Sequence, residues 1–276
     1  NIRNPLANAI VHFLAYLLFL IYIIPITLII LFSFTDSHSI AKATLSFNKF
    51  TLNNYISVFT KANAYKPYVI SILYSLGAAV LVAIICLIAS RILHRYKKSK
   101  AAALLEFSLL IPWLLPSTLI ALGLMLTYDS PKLIMGNKVL LGTPWILLFA
   151  YIIIKIPFSL RLLKAAFFSV EGSMEEAAKS MGASGMYTFR RVILPLIFPF
   201  TLAVVALNFN NLLADYDLTV FLYHPLLKPL GVVIKESTAL QATGDTKALT
   251  LVYSVILMII SATMLYLIYG RKKSKR

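Results

Sequence analysis

Apolar runs of about 20 residues, the length that carries a helix across a bilayer, alternate along this chain with polar segments. The first run covers 9–34 and contains Pro25, where a kink is expected. The second covers 68–90 and stops at a basic block, Arg91, His94, Arg95, Lys97, Lys98 and Lys100. The third covers 103–128, with Pro112 and Pro116 in its first half. The fourth covers 145–168, and a break is expected near Lys155-Ile156-Pro157. The fifth covers 196–214 and the sixth 248–269. The pattern predicts an all-α integral membrane protein with six transmembrane helices in a single transmembrane domain, 1–276. No internal repeat or linker marks a separate soluble domain.

Charge then orients the pattern. With the N-terminus inside, the inner segments hold 16 of the 26 Lys and Arg residues and the outer loops hold 9. That bias predicts cytoplasmic N- and C-termini. The net charge of +16 would suggest nucleic acid in a soluble protein. Here the basic residues sit at the ends of apolar runs, so membrane lipids are the expected partner and nucleic acid is not. A hydrophobic fraction of 60% and a charged fraction of 13% fit the same class. Cys86 is the single cysteine and lies in an apolar run, which excludes a disulfide within the chain. The first apolar run is too long for a signal peptide and reads as a retained span. The chain begins at Asn1 without a methionine, and both a trimmed start and the second half of a longer tandem protein fit that beginning.

One polar insert, 171–199, sits between the fourth and fifth runs. Ser173 followed by Glu176 has the spacing of a capping box, with Ser173 as N-cap. Glu175 and Glu176 suit the positive end of a helix. Met174, Ala177, Ala178 and Met181 recur at helical spacing and give one small apolar face. Gly182 stands where a helix end calls for a left-handed residue. Ser184 is placed to cap a second short helix, and Pro195 and Pro199 open the next apolar run. The prediction is a helix–turn–helix elbow. The same residues also fit an amphipathic loop resting on headgroups.

Polar residues inside spans are costly and turn towards a protein interior or a cavity. In the fifth run Asn208 and Asn211 share a helix face, and Asp215 continues it one turn later. This stripe is the candidate translocation path; hydrogen bonds that hold the bundle together are the alternative. Lys155 with Pro157 forms a second polar set, and Glu106 is a candidate partner for the basic boundary. The chain has no phosphate-cradling glycine loop, so ATP hydrolysis would fall to another subunit. Its four histidines form no metal-binding cluster, and no catalytic constellation stands out. An enzyme is not expected, nor is a cofactor or metal bound by this chain.

The spacing of Glu176-Ala177-Ala178, Gly182, Val192 and Leu194-Pro195 resembles the EAA signature of permease subunits of type I, binding-protein-dependent ABC importers. Val192 stands where the family more often has Ile. The resemblance implies that the elbow, 171–195, is the cytoplasmic element that docks on an ATPase. Glu176, Ala177, Ala178, Gly182, Leu194 and Pro195 would then be the ATPase-coupling residues. It also implies two ABC ATPase subunits carrying ATP and magnesium, a second permease (identical or related), and an extracytoplasmic substrate-binding protein. A bacterial inner membrane would be the location. Asn53-Asn54-Tyr55, Pro112-Trp113-Leu114-Leu115-Pro116 and the stretch 215–231 look most like the ferric iron, polyamine and thiamine branch, with ferric iron as the expected solute. The rival readings are an ion-driven secondary transporter and a non-transporting membrane scaffold.

Overall fold

The computed structural model describes residues 5–170, 172–238 and 243–270. Arg3, Glu171 and the basic tail 271–276 lie outside these described residues. In chain order the helices are α1 (Pro5–Ser33), α2 (Ser37–Ala41), α3 (Asn53–Thr60), α4 (Ala62–Arg95), α5 (Lys100–Leu110), α6 (Ser117–Tyr128) and α7 (Pro144–Phe168). They continue as α8 (Gly172–Ser180), α9 (Gly185–Thr188), α10 (Leu194–Leu212), α11 (Thr219–Leu222), α12 (Leu230–Ser237) and α13 (Gly244–Tyr269). Among the described residues the only β pairing is two isolated bridges, Thr35 with Phe50 and Lys132 with Lys138. Among the described residues, five stretches are each long and apolar enough to cross a membrane: α1, α4, α7, the run from α9 through α10, and α13. A sixth arises if the segment Lys100–Leu114 and α6 count as one span.

The chain forms two compact units. The first contains 1–65 and 236–260. Here α1 leaves orphan carbonyls at its C-terminal end, and Asn54 of α3 answers two of the carbonyls there. Its Nδ2 donates to the carbonyl oxygens of Ser33 at 3.0 Å and Thr35 at 2.8 Å. The Tyr55 hydroxyl meets Ser33 Oγ at 2.7 Å, and the Tyr55 ring stacks on Phe34 with centroids 4.9 Å apart. Asn54 and Tyr55 therefore close the end of α1. Asn54→Leu should cost about 2–4 kcal/mol, since it strands two carbonyls. A drop in the apparent melting temperature of the purified chain measures it.

The second unit contains 66–235 and 261–276, and α7 runs through its core. Ile146, Leu147, Ala150 and Tyr151 pack with Ala78 of α4, Ala121 of α6 and Leu212 of α10. About three turns further on, Leu160 and Leu163 pack with Val82, Cys86 and Ala89 of α4 and Val204 of α10. Small residues on α4 let the helices approach closely, as bundles in lipid require.

Two expectations about helix breaks are corrected. The fourth span is not broken near Lys155: α7 continues through Pro157, which is buried. Proline removes one backbone donor, and the packing on both sides of it holds the helix together. The third span is the one that breaks. After α5 the chain makes a 3₁₀ turn, Ile111–Leu114, then restarts as α6 at an angle of 105°. The restart is written in the sequence: the residue before a proline is pushed out of the helical region, and Leu115, before Pro116, is extended at φ −113°, ψ 139°.

Candidate functional site

The elbow forms as α8, a turn and α9. Helix α8 begins at Gly172, so Ser173 lies within the first turn and not at the N-cap as the spacing suggested. The end of α8 follows the expected chemistry closely. Gly182 is left-handed at φ +80°. Its N–H donates to Lys179 O at 2.9 Å, and the N–H of Ala183 donates to Ala178 O at 3.0 Å. These two bonds are the Schellman pattern, which satisfies the last carbonyls of a helix. Ser184 then caps α9, its hydroxyl accepting from the Tyr187 N–H at 3.3 Å. One wide turn, Phe189–Ile193, merges α9 into α10, so the elbow is continuous with the fifth apolar helix.

The six coupling candidates divide by direction. Ala178 is buried, and Leu194 is half-buried against Ala166, Phe167, Ile193 and Ile197. Glu176, Ala177, Gly182 and Pro195 are exposed. Met174, Met181, Met186 and Tyr187 are exposed beside them, Met181 by 82%. Apolar side chains of adaptable shape, displayed on a polar insert, suit a protein partner.

Arg91 holds this surface in place, a role that its position in the basic block did not reveal. Its guanidinium donates to Gly185 O at 3.2 Å and lies 4.1 Å from the centroid of the Phe189 ring. The Phe189 ring in turn stacks parallel to Phe167 of α7. The elbow is thereby fixed to the ends of α4 and α7. Glu106 does not meet the Arg91–Lys100 block; it pairs with Lys164 of α7 at 2.5 Å.

The break in the third span lines a cavity of about 380 Å³. Pro112, Trp113, Leu115 and Ser117 form one wall, Lys155, Pro157 and Phe158 of α7 another, and Asn208 and Asn211 of α10 a third. Irregular backbone at membrane depth is tolerated where it borders a cavity. Asn208 is fully buried; its Nδ2 donates to Ser159 Oγ at 2.7 Å and its Oδ1 has no partner. Asn211 is exposed, and its Nδ2 donates back to Leu207 O at 2.7 Å.

Asp215 does not line this cavity. Helix α10 ends at Leu212, so the helical spacing that linked Asp215 to the two asparagines stops short of it. Its carboxylate instead accepts from the Thr219 backbone N–H at 3.2 Å and the Thr219 hydroxyl at 2.8 Å. Thr219 Oγ1 also meets the Tyr151 hydroxyl of α7 at 2.5 Å. Asn208 and Asn211, which the sequence places on one helix face, both line the cavity, and so do Lys155, Pro112 and Trp113, which the sequence left as separate features. The two prolines flanking Trp113 were the signal that a wall would form there.

Residues 86–275 match the family described as binding-protein-dependent transport system inner membrane component. A probable ABC transporter permease of Sinorhizobium fredii is 40% identical over 264 residues, 96% of this chain, and the chain spans 46% of that relative's length. A relative in Salmonella paratyphi A, named for 2-aminoethylphosphonate transport, is 25% identical over 94% of both chains. A chain of Nephroselmis olivacea, named for sulfate transport, is 25% identical over 82% of this chain and 81% of its own. Among solved structures, a bacterial alginate ABC transporter in complex with its alginate-bound periplasmic protein aligns with a TM-score of 0.72 at 15% identity. It covers 97% of this chain and 93% of that one, a likeness of fold.

Proposed function

The chain belongs to the family of binding-protein-dependent transport system inner membrane components, and from that premise we propose that it is a permease subunit of a type I ABC importer. The observation that carries this reading is the elbow. Glu176-Ala177-Ala178 and Gly182 lie on a capped helix and turn that Arg91 and Phe189 fix to the bundle. A rigid, exposed polar element is what a coupling contact needs, because force applied to it reaches the spans without being absorbed by a loose loop. Two ATPase subunits would engage the elbows of this permease and a second one, and an extracytoplasmic binding protein would deliver the solute. ATP and magnesium would be held by the ATPase. The elbow couples if its contacts differ between the two states of the ATPase dimer. The termini and the elbow would then face the cytoplasm of a bacterial cell.

The solute is the finer question. Two relatives are named for 2-aminoethylphosphonate and sulfate, which favours a small oxyanion-bearing solute. Ferric iron, expected from resemblance, draws no specific support from these relatives and belongs in the same panel with spermidine and thiamine.

The test is ATPase activity and uptake by the co-expressed complex in liposomes, wild type against Glu176→Ala. The expected result is a fall in solute-stimulated uptake of about tenfold or more, corresponding to a coupling free energy in the usual range. Uptake that proceeds without ATP and ignores Glu176 would move the assignment to an ion-driven transporter. An assembled complex that transports nothing would move it to a scaffold.

A further inference from the structure

We propose that the cavity at the break between α5 and α6 is a binding site for a small oxyanion, recognised chiefly by the Lys155 ammonium. The inference deepens the importer reading and rests on it for its biological use, although binding itself does not require the ATPase.

The first observation is a cation without a direct partner. Lys155 lies in the middle of α7 and lines the cavity. Among the described residues its ammonium makes no hydrogen bond and no ion pair. A cation at such depth is retained where it has work to do or a partner to meet. Asp215 is the carboxylate whose charge bears on it, but it hydrogen-bonds to Thr219 and forms no ion pair with Lys155. Glu106 is committed to Lys164.

The second observation is Asn208, fully buried, with one end of its amide on Ser159 Oγ and the other end unpartnered at the same cavity. The unpartnered atom is the amide oxygen, an acceptor, and leaving it so is costly; a ligand group that donates, such as the ammonium of a short aminophosphonate, would relieve it. The third is the start of α6. Ser117 lines the cavity and opens a 12-residue helix, whose first N–H groups have no intrahelical acceptor and carry the positive end of its dipole. Interrupted membrane helices place such ends against anionic groups of a solute. Arg161 adds a further cation behind the wall, its guanidinium 4.3 Å from the centroid of the Trp113 ring. An ammonium and a helix N-terminus therefore converge on a space large enough for a molecule of the size of sulfate or a short phosphonate, and Asn208 Oδ1 offers an acceptor to any donor that molecule carries.

Two measurements test this. In the first, the purified full chain in detergent is melted with sodium sulfate or 2-aminoethylphosphonate, against sodium chloride at matched ionic strength. Sulfate stabilises proteins generally, so the decisive quantity is the difference between variants. The expected result is an upward shift in wild type and Lys155→Arg that is lost in Lys155→Met. Should Lys155→Met not fold, Asn208→Asp is nearly isosteric, sets a carboxylate at the same wall, and should lose the shift as well. Equal shifts in wild type and the variants overturn the proposal.

In the second measurement, the reconstituted complex takes up labelled sulfate, 2-aminoethylphosphonate, ferric iron, spermidine or thiamine. Lys155→Met should cut oxyanion uptake tenfold or more, and Lys155→Arg should stay within about threefold of wild type. ATP-driven uptake that ignores Lys155, or that favours spermidine, thiamine or ferric iron over the oxyanions, defeats the site and leaves the importer reading intact. A Lys155-dependent melting shift without any ATP-driven uptake supports the site and defeats the importer reading.

Discussion

Gly182→Asp is expected to abolish ATP-driven uptake by the assembled complex, while Gly182→Asn keeps most of it. Gly182 sits at φ +80° between two hydrogen bonds that close the end of α8. A β-carbon added there meets nothing within 4 Å. The space is open, so a clash within this chain is not the mechanism. Two other effects remain and can be separated. The left-handed conformation costs an ordinary L-residue about 1–2 kcal/mol, but Asn and Asp adopt it more readily than other side chains. Asn thus tests the added bulk with little backbone cost. Asp adds a negative charge to a surface that already exposes Glu176, and it would act at the face proposed to meet an ATPase subunit. Gly182→Val adds the backbone cost to the bulk without a charge, because a β-branched residue resists φ > 0 most strongly. The predicted order of uptake is wild type, then Asn, then Val, with Asp at background. Gly182→Asp complexes that transport normally at wild-type abundance would remove the elbow from the coupling path.

That elbow was the most legible part of the sequence, and the reason is locality. The cap at Ser184 and the left-handed glycine at 182 act over three to five residues, so the chain spells them out. The contact of Arg91 with Gly185 spans 94 residues. Nothing in the basic block distinguishes Arg91 from its neighbours, which the topology argument treated as equivalent. The third span was misread because a hydropathy average passes smoothly over Pro112-Trp113-Leu114-Leu115-Pro116; every residue in that stretch is apolar although its backbone cannot stay helical. The opposite error occurred at Pro157. Proline chemistry predicted a break, and tertiary packing of α7 overrode it. The same limit explains Asp215: helical periodicity extrapolated beyond Leu212 gave it a face that the chain no longer has.

Gly231→Ala should reduce the yield of folded protein severely, because at this glycine the limit is space. Gly231 stands in the first turn of α12. A β-carbon there would lie 2.3 Å from the backbone oxygen of Asp215 and 2.8 Å from that of Ala214. Neither contact can be relieved by turning a side chain. Helix α12 is also held from the other side: Leu230 is fully buried, and its N–H donates to Ser71 Oγ of α4 at 2.8 Å. The helix therefore cannot retreat without breaking that bond and exposing Leu230. Forced repacking of this kind costs about 1–3 kcal/mol, occasionally more, a large share of the margin that keeps a protein folded. The displacement would bear directly on Asp215, whose carboxylate holds Thr219 and through it Tyr151. Gly123 of α6 supplies the control, since a β-carbon there meets nothing within 4 Å and alanine is the better helix former. The expected result is a lower apparent melting temperature and less monodisperse protein for Gly231→Ala, with Gly123→Ala equal to or above wild type. Equal melting of the two variants would mean that the segment following α10 yields readily, and that its approach to α12 does not set the position of Asp215.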